Sequence, residues 1–142
     1  VRAIDHMSAV AARSPVDALQ AAMLEHPQVE LETGHLFHGG HYIRALWRPA
    51  GCLIVGKRHL KDHLYLVVSG TVQVGEETHT GPKLIECKAG TKRAVYALTD
   101  ALCVTFHKTD AADVEAAEAD LVEPDKTSPY LPGNKLPMKE LS

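Results

Sequence analysis

From Val29 to His107, apolar and polar residues change places every second position or gather into short apolar runs. Glycine or proline interrupts them roughly every 8–12 residues, the texture of an antiparallel sandwich or barrel. Val29-Glu30-Leu31-Glu32 alternates, and His35-Leu36-Phe37-His38 leads into a turn at Gly39-Gly40. The strand from Tyr42 to Arg48 places Tyr42, Arg44, Leu46 and Arg48 on one side and Ile43, Ala45 and Trp47 on the other. Pro49-Ala50-Gly51 turns into a short apolar strand, Cys52 to Val55. Further strands are predicted at Thr71 to Val74, Lys83 to Cys87, Arg93 to Leu98 and Leu102 to His107. Gly75 opens a polar loop, and Lys88-Ala89-Gly90 is a turn.

The flanks follow a helical period. Ser14-Pro15 with Asp17 is a helix start, with Val16, Leu19 and Met23 on one stripe that should pack on a sheet; Pro27 ends it. Asp110 to Val122 is a second helix, with Val114, Ala117 and Leu121 on one side, acids around them facing solvent, and Pro124 as its stop. Residues 1–13 carry no pattern and are expected to be partly disordered. The tail after Asp125 holds Pro129, Pro132 and Pro137, so it is either loose or an extended arm laid on another surface. The expected organisation is one mostly β domain: an N-terminal segment (1–28), an antiparallel β-barrel (29–109), and a C-terminal helix with its tail (110–142).

One stretch carries most of the candidate chemistry. Gly56 to Gly70, GKRHLKDHLYLVVSG, moves from cations and histidines into an apolar run and stops at a glycine. It reads as a strand buried on both faces. With regular pairing, His59, Lys61, His63, Tyr65 and Val67 share one face. Two imidazoles directed into one space can chelate a transition metal. A third ligand is needed, and His107 is the best candidate if Arg93 to His107 is a hairpin. A turn centred on Asp100 sets Arg93 opposite His107; a two-residue turn at Thr99-Asp100 sets Phe106 there and turns His107 away. His35 is a further candidate. Asp62 and Glu86 are candidates for orienting an imidazole, whereas His38, His41, Glu76 and Glu77 read as loop residues. Without a metal, His59 and His63 are polar lining or surface.

Composition narrows the classes. The chain has 142 residues, a net charge of −3 and a pI near 6.3. No basic stripe suggests nucleic acid, no apolar run is long enough to span a membrane, and no signal-peptide pattern opens the chain. Cys52, Cys87 and Cys103 are odd in number and widely spaced, which fits reduced thiols in a cytoplasmic protein.

The strand pattern, the His-rich segment closing at Gly70 and the turn at Gly90 resemble the cupin superfamily, whose members are small jelly rolls. That resemblance covers roughly Val29 to Val122. Cupins usually hold one divalent metal (zinc, iron, nickel or manganese here) through two histidines and a glutamate in the first motif and a histidine in the second. Aligned on Gly70, Lys57 stands at the first histidine, His59 at the second and His63 at the glutamate. Aligned on Gly90, Lys88 replaces a proline and Arg93 the last histidine. His35-Leu36-Phe37, Tyr42-Ile43-Arg44, Gly56 to His63, Lys92-Arg93 and His107 are similar to small single-domain cupins of phages and prophages, which implies a host-cytoplasmic location. Cupins often pair through sheet faces and edges, so a homodimer is expected, with the tail as one candidate for its contact.

A guanidinium at a ligand position repels a cation but suits a carboxylate or phosphate. Arg93 and Tyr65 would grip such an anion, joined by Arg44 and Tyr42 if their strand face is the inner one; otherwise that face is solvated. Three functions remain open. The first is a metal-binding small-molecule cupin using His59, His63 and His107, with a pocket of Tyr42, Arg44, Tyr65, Arg93 and His35. The second is a non-enzymatic binding module without metal. The third is a metal-free enzyme with His59 or His63 as general base.

Overall fold

The structure is a computed structural model and describes residues 14–137. The expectation for residues 1–13 lies outside the described residues. Among the described residues, nine strands form two antiparallel sheets. One has five strands in the order β1 (Thr33–His38), β2 (His41–Arg48), β9 (Ala101–Lys108), β4 (His63–Ser69) and β7 (Lys83–Cys87). The other has four, in the order β3 (Leu53–Val55), β8 (Ala94–Ala97), β5 (Thr71–Val74) and β6 (Glu77–Thr80). Two helices, α1 (Pro15–Met23) and α2 (Val114–Leu121), flank them. Among the described residues no helix is long and apolar enough to cross a membrane.

The sheets meet over one apolar cluster. Tyr65, Val67, Cys87, Ala101 and Cys103 come from the five-stranded sheet, Val72 and Val95 from the other. Cys87 and Cys103 are buried free thiols and Cys52 is a half-buried one. The chain repeatedly changes sheets, and Gly70 marks one tight crossing. Its φ is +81°, and a Cβ there would collide with the Asp100 carbonyl and Ala101. Only glycine satisfies both demands.

Several expectations are corrected. The strand in the His-rich segment starts at His63, and residues 56–62 approach it as irregular chain. It is buried on one face only: His63, Tyr65 and Val67 are buried while Leu64 and Val68 are exposed. Lys61 therefore turns outward and pairs with Asp120 at 2.8 Å. The region after Gly75 is no loop, because Glu77–Thr80 pairs with β5 from Val74↔Glu77 to Thr71↔Thr80. Both hairpin registers for Arg93 to His107 fail together. β8 and β9 lie in opposite sheets, and β9 is paired instead by β2 and β4.

The Ser14 hydroxyl caps α1 by accepting from the Asp17 N–H. Its apolar stripe is not buried; Leu19 stays exposed. Polar contacts tether the helix instead: Asp17 to Arg58 at 2.7 Å and to Lys92 at 2.6 Å, and Gln20 to Asp125 at 2.7 Å. In α2, Ala117 and Leu121 are buried against Tyr42, with Phe37, Ala111 and Val122 around them. The tail folds back on its own chain. Tyr130 donates to the Val29 carbonyl at 2.6 Å, and Lys135 pairs with Glu30 at 3.0 Å.

Candidate metal and anion site

Register brings the site together. Tyr42 faces His107 across β2 and β9, and Arg44, Thr105, Tyr65 and Ile85 form the next row across β2, β9, β4 and β7. Leu64↔Phe106 continues by one step to His63 and His107, so these imidazoles are cross-strand neighbours on the inner face. His59 reaches them from the irregular segment. Its backbone is pinned to the Lys88–Thr91 turn, accepting from the Gly90 N–H at 2.7 Å and donating to the Thr91 carbonyl at 2.9 Å.

The three rings stack closely. Centroids are 4.1 Å apart for His59 and His63, 4.8 Å for His63 and His107, and 5.4 Å for His59 and His107. One potential ligand atom from each lies within 4.8 Å of the others. The His63 Nδ1 faces the Lys61 carbonyl at 3.3 Å, which only a protonated nitrogen can satisfy. Its Nε2 then carries the lone pair, and that atom is buried without a hydrogen-bond partner. His107 Nε2 meets the Thr105 hydroxyl at 2.9 Å.

Electrostatics keep the rings neutral. Burial first, then the charges of His63 and Arg44, hold His59 down to about 3. Burial, then His63, His59 and Arg44, does the same to His107, also to about 3. His63 is lowered too, chiefly by burial. Three neutral imidazoles, two buried and His59 half-buried, one with an unpartnered nitrogen, are a donor set that suits a divalent transition metal.

His59 and His63 open on a cavity of about 100 Å³, which His107 does not line. Arg44, Arg48, Arg93, Lys57 and Tyr65 line it, with Glu118 as its one carboxylate. Glu118 is already used: Lys57 lies 3.7 Å away and the Gly133 N–H donates to it at 2.9 Å. Arg93 rests over the Tyr65 ring, its Cζ 5.2 Å from the centroid. Among the described residues, Arg44, Arg48 and Arg93 form no salt bridge. An anion accompanying the metal would offset this excess of cations, so the arginines and a metal are compatible.

Other candidates fall elsewhere. Tyr42 is on the inner face but does not line the cavity. It stacks on Phe37 at 4.7 Å beneath α2 and is hydrogen-bonded to His35 Nδ1 at 2.6 Å. Burial pushes its phenol up to about 12. His35 is exposed on edge strand β1, outside the three-histidine cluster. Asp62 accepts from the Ala89 N–H at 2.7 Å, and Glu86 sits opposite Leu64 on the outer face. His38 and His41 are exposed at the β1–β2 turn.

The charged lining residues Arg48 and Glu118 escaped the sequence reading. Arg48 shares the parity of Tyr42 and Arg44 on β2, which was the signal for it. Glu118 was grouped with solvent-facing acids, yet its side chain is 11% exposed. It lies one helical turn from Val114, on the packed side of α2.

Neither a protein-family model nor a curated protein matches the sequence. Solved structures do share the fold. A protein assigned as an acetylacetone dioxygenase from Methylibium petroleiphilum PM1 matches with a TM-score of 0.50 and 14% identity, over 57% of this chain and 63% of that one. A chain of the Rhodobacter sphaeroides SigE complex with the anti-sigma ChrR matches at 0.51 and 18%, over 58% and 46%. An RmlC-like cupin from Ralstonia eutropha JMP134 matches at 0.49 and 15%, over 56% and 57%. The chain spans less than two thirds of these neighbours. What it has in common with them is the fold.

Proposed function

We propose that this chain is a metal-binding cupin. His59, His63 and His107 hold one divalent transition metal inside a closed barrel, beside a cationic pocket for a small anionic ligand. The buried, unpartnered Nε2 of His63, set among two other neutral imidazoles, carries this reading. The metal would supply Lewis acidity or an oxygen-binding centre. The protein's part is to hold the rings neutral, screen them from water and position an anion with its arginines. One structural neighbour is assigned as a dioxygenase, so oxygen uptake with small diketones is the first activity to assay.

Elemental analysis of protein incubated with zinc, iron, nickel or manganese and then desalted should give about one ion per chain. His63→Ala and His107→Ala should each leave less than about a tenth of that. Folded wild-type protein that takes up none of these metals would end the proposal. The cationic cavity also favours a metal-free binding module; in that case His59→Ala with His63→Ala leaves ligand affinity intact. A metal-free enzyme with His59 as base has less support, because a base held at about 3 accepts protons poorly near neutral pH.

The relation to small phage cupins and a cytoplasmic setting belong to the same proposal, resting on the motif residues and the free thiols. So does the homodimer, and its support is the outer face of the five-stranded sheet. Leu36, Ile43, Phe106 and Leu64 form one apolar row there, Ala45, Val104, Leu66 and Leu84 another, and Trp47 and Leu102 begin a third. Leu36 and Leu84 are each 56% exposed and Trp47 43%. From strand spacing and rise, three rows over five strands occupy roughly 500 Å² in projection. That is of the order of the about 800 Å² per partner in a standard interface. A second copy of this chain, face to face, is the occupant proposed.

A further inference from the structure

Two residues that line the cavity carry buried polar atoms without a hydrogen bond of good geometry. Arg48 is 7% exposed, and its Nε and one terminal guanidinium nitrogen are buried without a partner. Tyr65 is 5% exposed, and its hydroxyl is buried without a well-aligned hydrogen bond, with Arg48 and Cys103 as its polar neighbours. Arg48 is close enough to act on the Tyr65 phenol electrostatically. Both side chains line the same cavity, with Leu46, Ile54, Val95 and Cys103 as its apolar wall. A guanidinium left unpaired in such a place is strongly unfavourable, and native proteins rarely keep one without an anion to receive.

We infer that Arg48 and Tyr65 form a carboxylate-binding subsite, and that the ligand is a short-chain carboxylic acid with an apolar body. The inference rests on the anion pocket proposed above and names its anchor and its ligand class. The donors decide between anions. Nη2 together with Nε or Nη1 of one guanidinium matches the two oxygens of a carboxylate, and the Tyr65 hydroxyl adds a third donor to one of them. A phosphate is bulkier and has no hydrocarbon body, whereas Leu46, Ile54, Val95 and Cys103 give the cavity an apolar wall. That wall suits hydrocarbon. Tyr65 and His63 stand two residues apart on one face of β4, a separation of about 7 Å. A carboxylate gripped at Tyr65 thus leaves the body of a four- to six-atom acid pointing at the imidazoles.

The test uses the full chain stripped with chelator and, separately, the same chain loaded with zinc. Acetate, butyrate, inorganic phosphate and butanol are titrated calorimetrically. Butyrate should bind the stripped protein more tightly than acetate and at least about tenfold more tightly than phosphate, with butanol inert at about 10 mM. Arg48→Gln should weaken butyrate about 10- to 100-fold and Tyr65→Phe about 3- to 10-fold. Arg48→Met tests the alternative that Arg48 is structural: it should melt at the same or a higher temperature than wild type without ligand, while losing butyrate binding. Unchanged butyrate affinity in Arg48→Gln, tighter phosphate binding, or a marked drop in the melting temperature of Arg48→Met would each overturn the subsite. Zinc uptake is read separately, so a protein that binds butyrate but no metal refutes the metal reading and leaves this one standing.

Discussion

The two faces of the five-stranded sheet are reversed from what a sandwich strand usually shows. Its outer face is rows of leucine, isoleucine, valine and phenylalanine. Its inner face begins with apolar Val67 and Cys103, then changes to Tyr65, Arg44, His63 and His107. The four-stranded sheet behaves ordinarily: Val72 and Val95 are buried, while Tyr96 between its buried neighbours Val95 and Ala97 is exposed. A fold can bury arginine and histidine only if something repays the desolvation, and leave a sheet of leucine exposed only if something covers it. The proposed ligand within and the proposed second copy without would each account for one side of this contrast.

The largest test divides the inner face itself. Val67→Asp places an unpaired charge in the apolar half, at a position with 0% exposure. It should leave no folded protein by circular dichroism, a loss of several kcal/mol or more. A folded Val67→Asp would show that this half is not the core described here.

Acid is the next lever. An unfolded histidine takes its proton near 6.5, whereas His59 and His107 are held at about 3 in the metal-free fold. Between those values the unfolded chain binds more protons, so stability falls as pH falls. The melting temperature of metal-free protein should be level above about pH 7 and drop steadily toward pH 4, and His59→Ala with His107→Ala should flatten the slope. A level curve from pH 7 to 5 in the wild type would place these rings in water.

The outer face is tested by charge. Leu84→Glu or Trp47→Glu should halve the mass seen by sedimentation and make the melting temperature independent of concentration. Exposed substitutions should shift the isolated chain's own stability by only about 0.5 kcal/mol. A wild type that is monomeric at every concentration would remove the second copy. The smallest expected effect is a control: Glu86→Gln, outside and opposite Leu64, should change neither metal uptake nor stability beyond about 0.5 kcal/mol.

Much of this architecture was legible because short strands announce themselves by alternation. Lys83–Cys87 has the predicted bounds, and the Tyr42–Arg48 alternation correctly paired its side chains by face. The second helix, expected from Asp110, begins only at Val114, where Asp113 caps it by accepting from the Ala116 N–H. What failed was long-range. No local pattern says that residues 98–100 carry the chain from one sheet to the other, so the β8–β9 hairpin was a reasonable but wrong inference from proximity. His107 reaches His63 through β4 instead, a pairing between segments some forty residues apart. Glu77–Thr80 was missed because its side chains are polar and its strand lies at a sheet edge, where apolar alternation is weakest. Arg48 was assigned to the right face, but alternation does not say that its guanidinium nitrogens are buried without a partner.

Ser128, Tyr130 and Asn134 help to line the cavity, although they lie beyond the last strand. Synthesis runs from the N-terminus, so both sheets leave the ribosome before the piece that completes the wall around the ligand. A chain ending at Pro124 would keep every imidazole and every arginine of the pocket, yet hold them in a bowl with one side cut away.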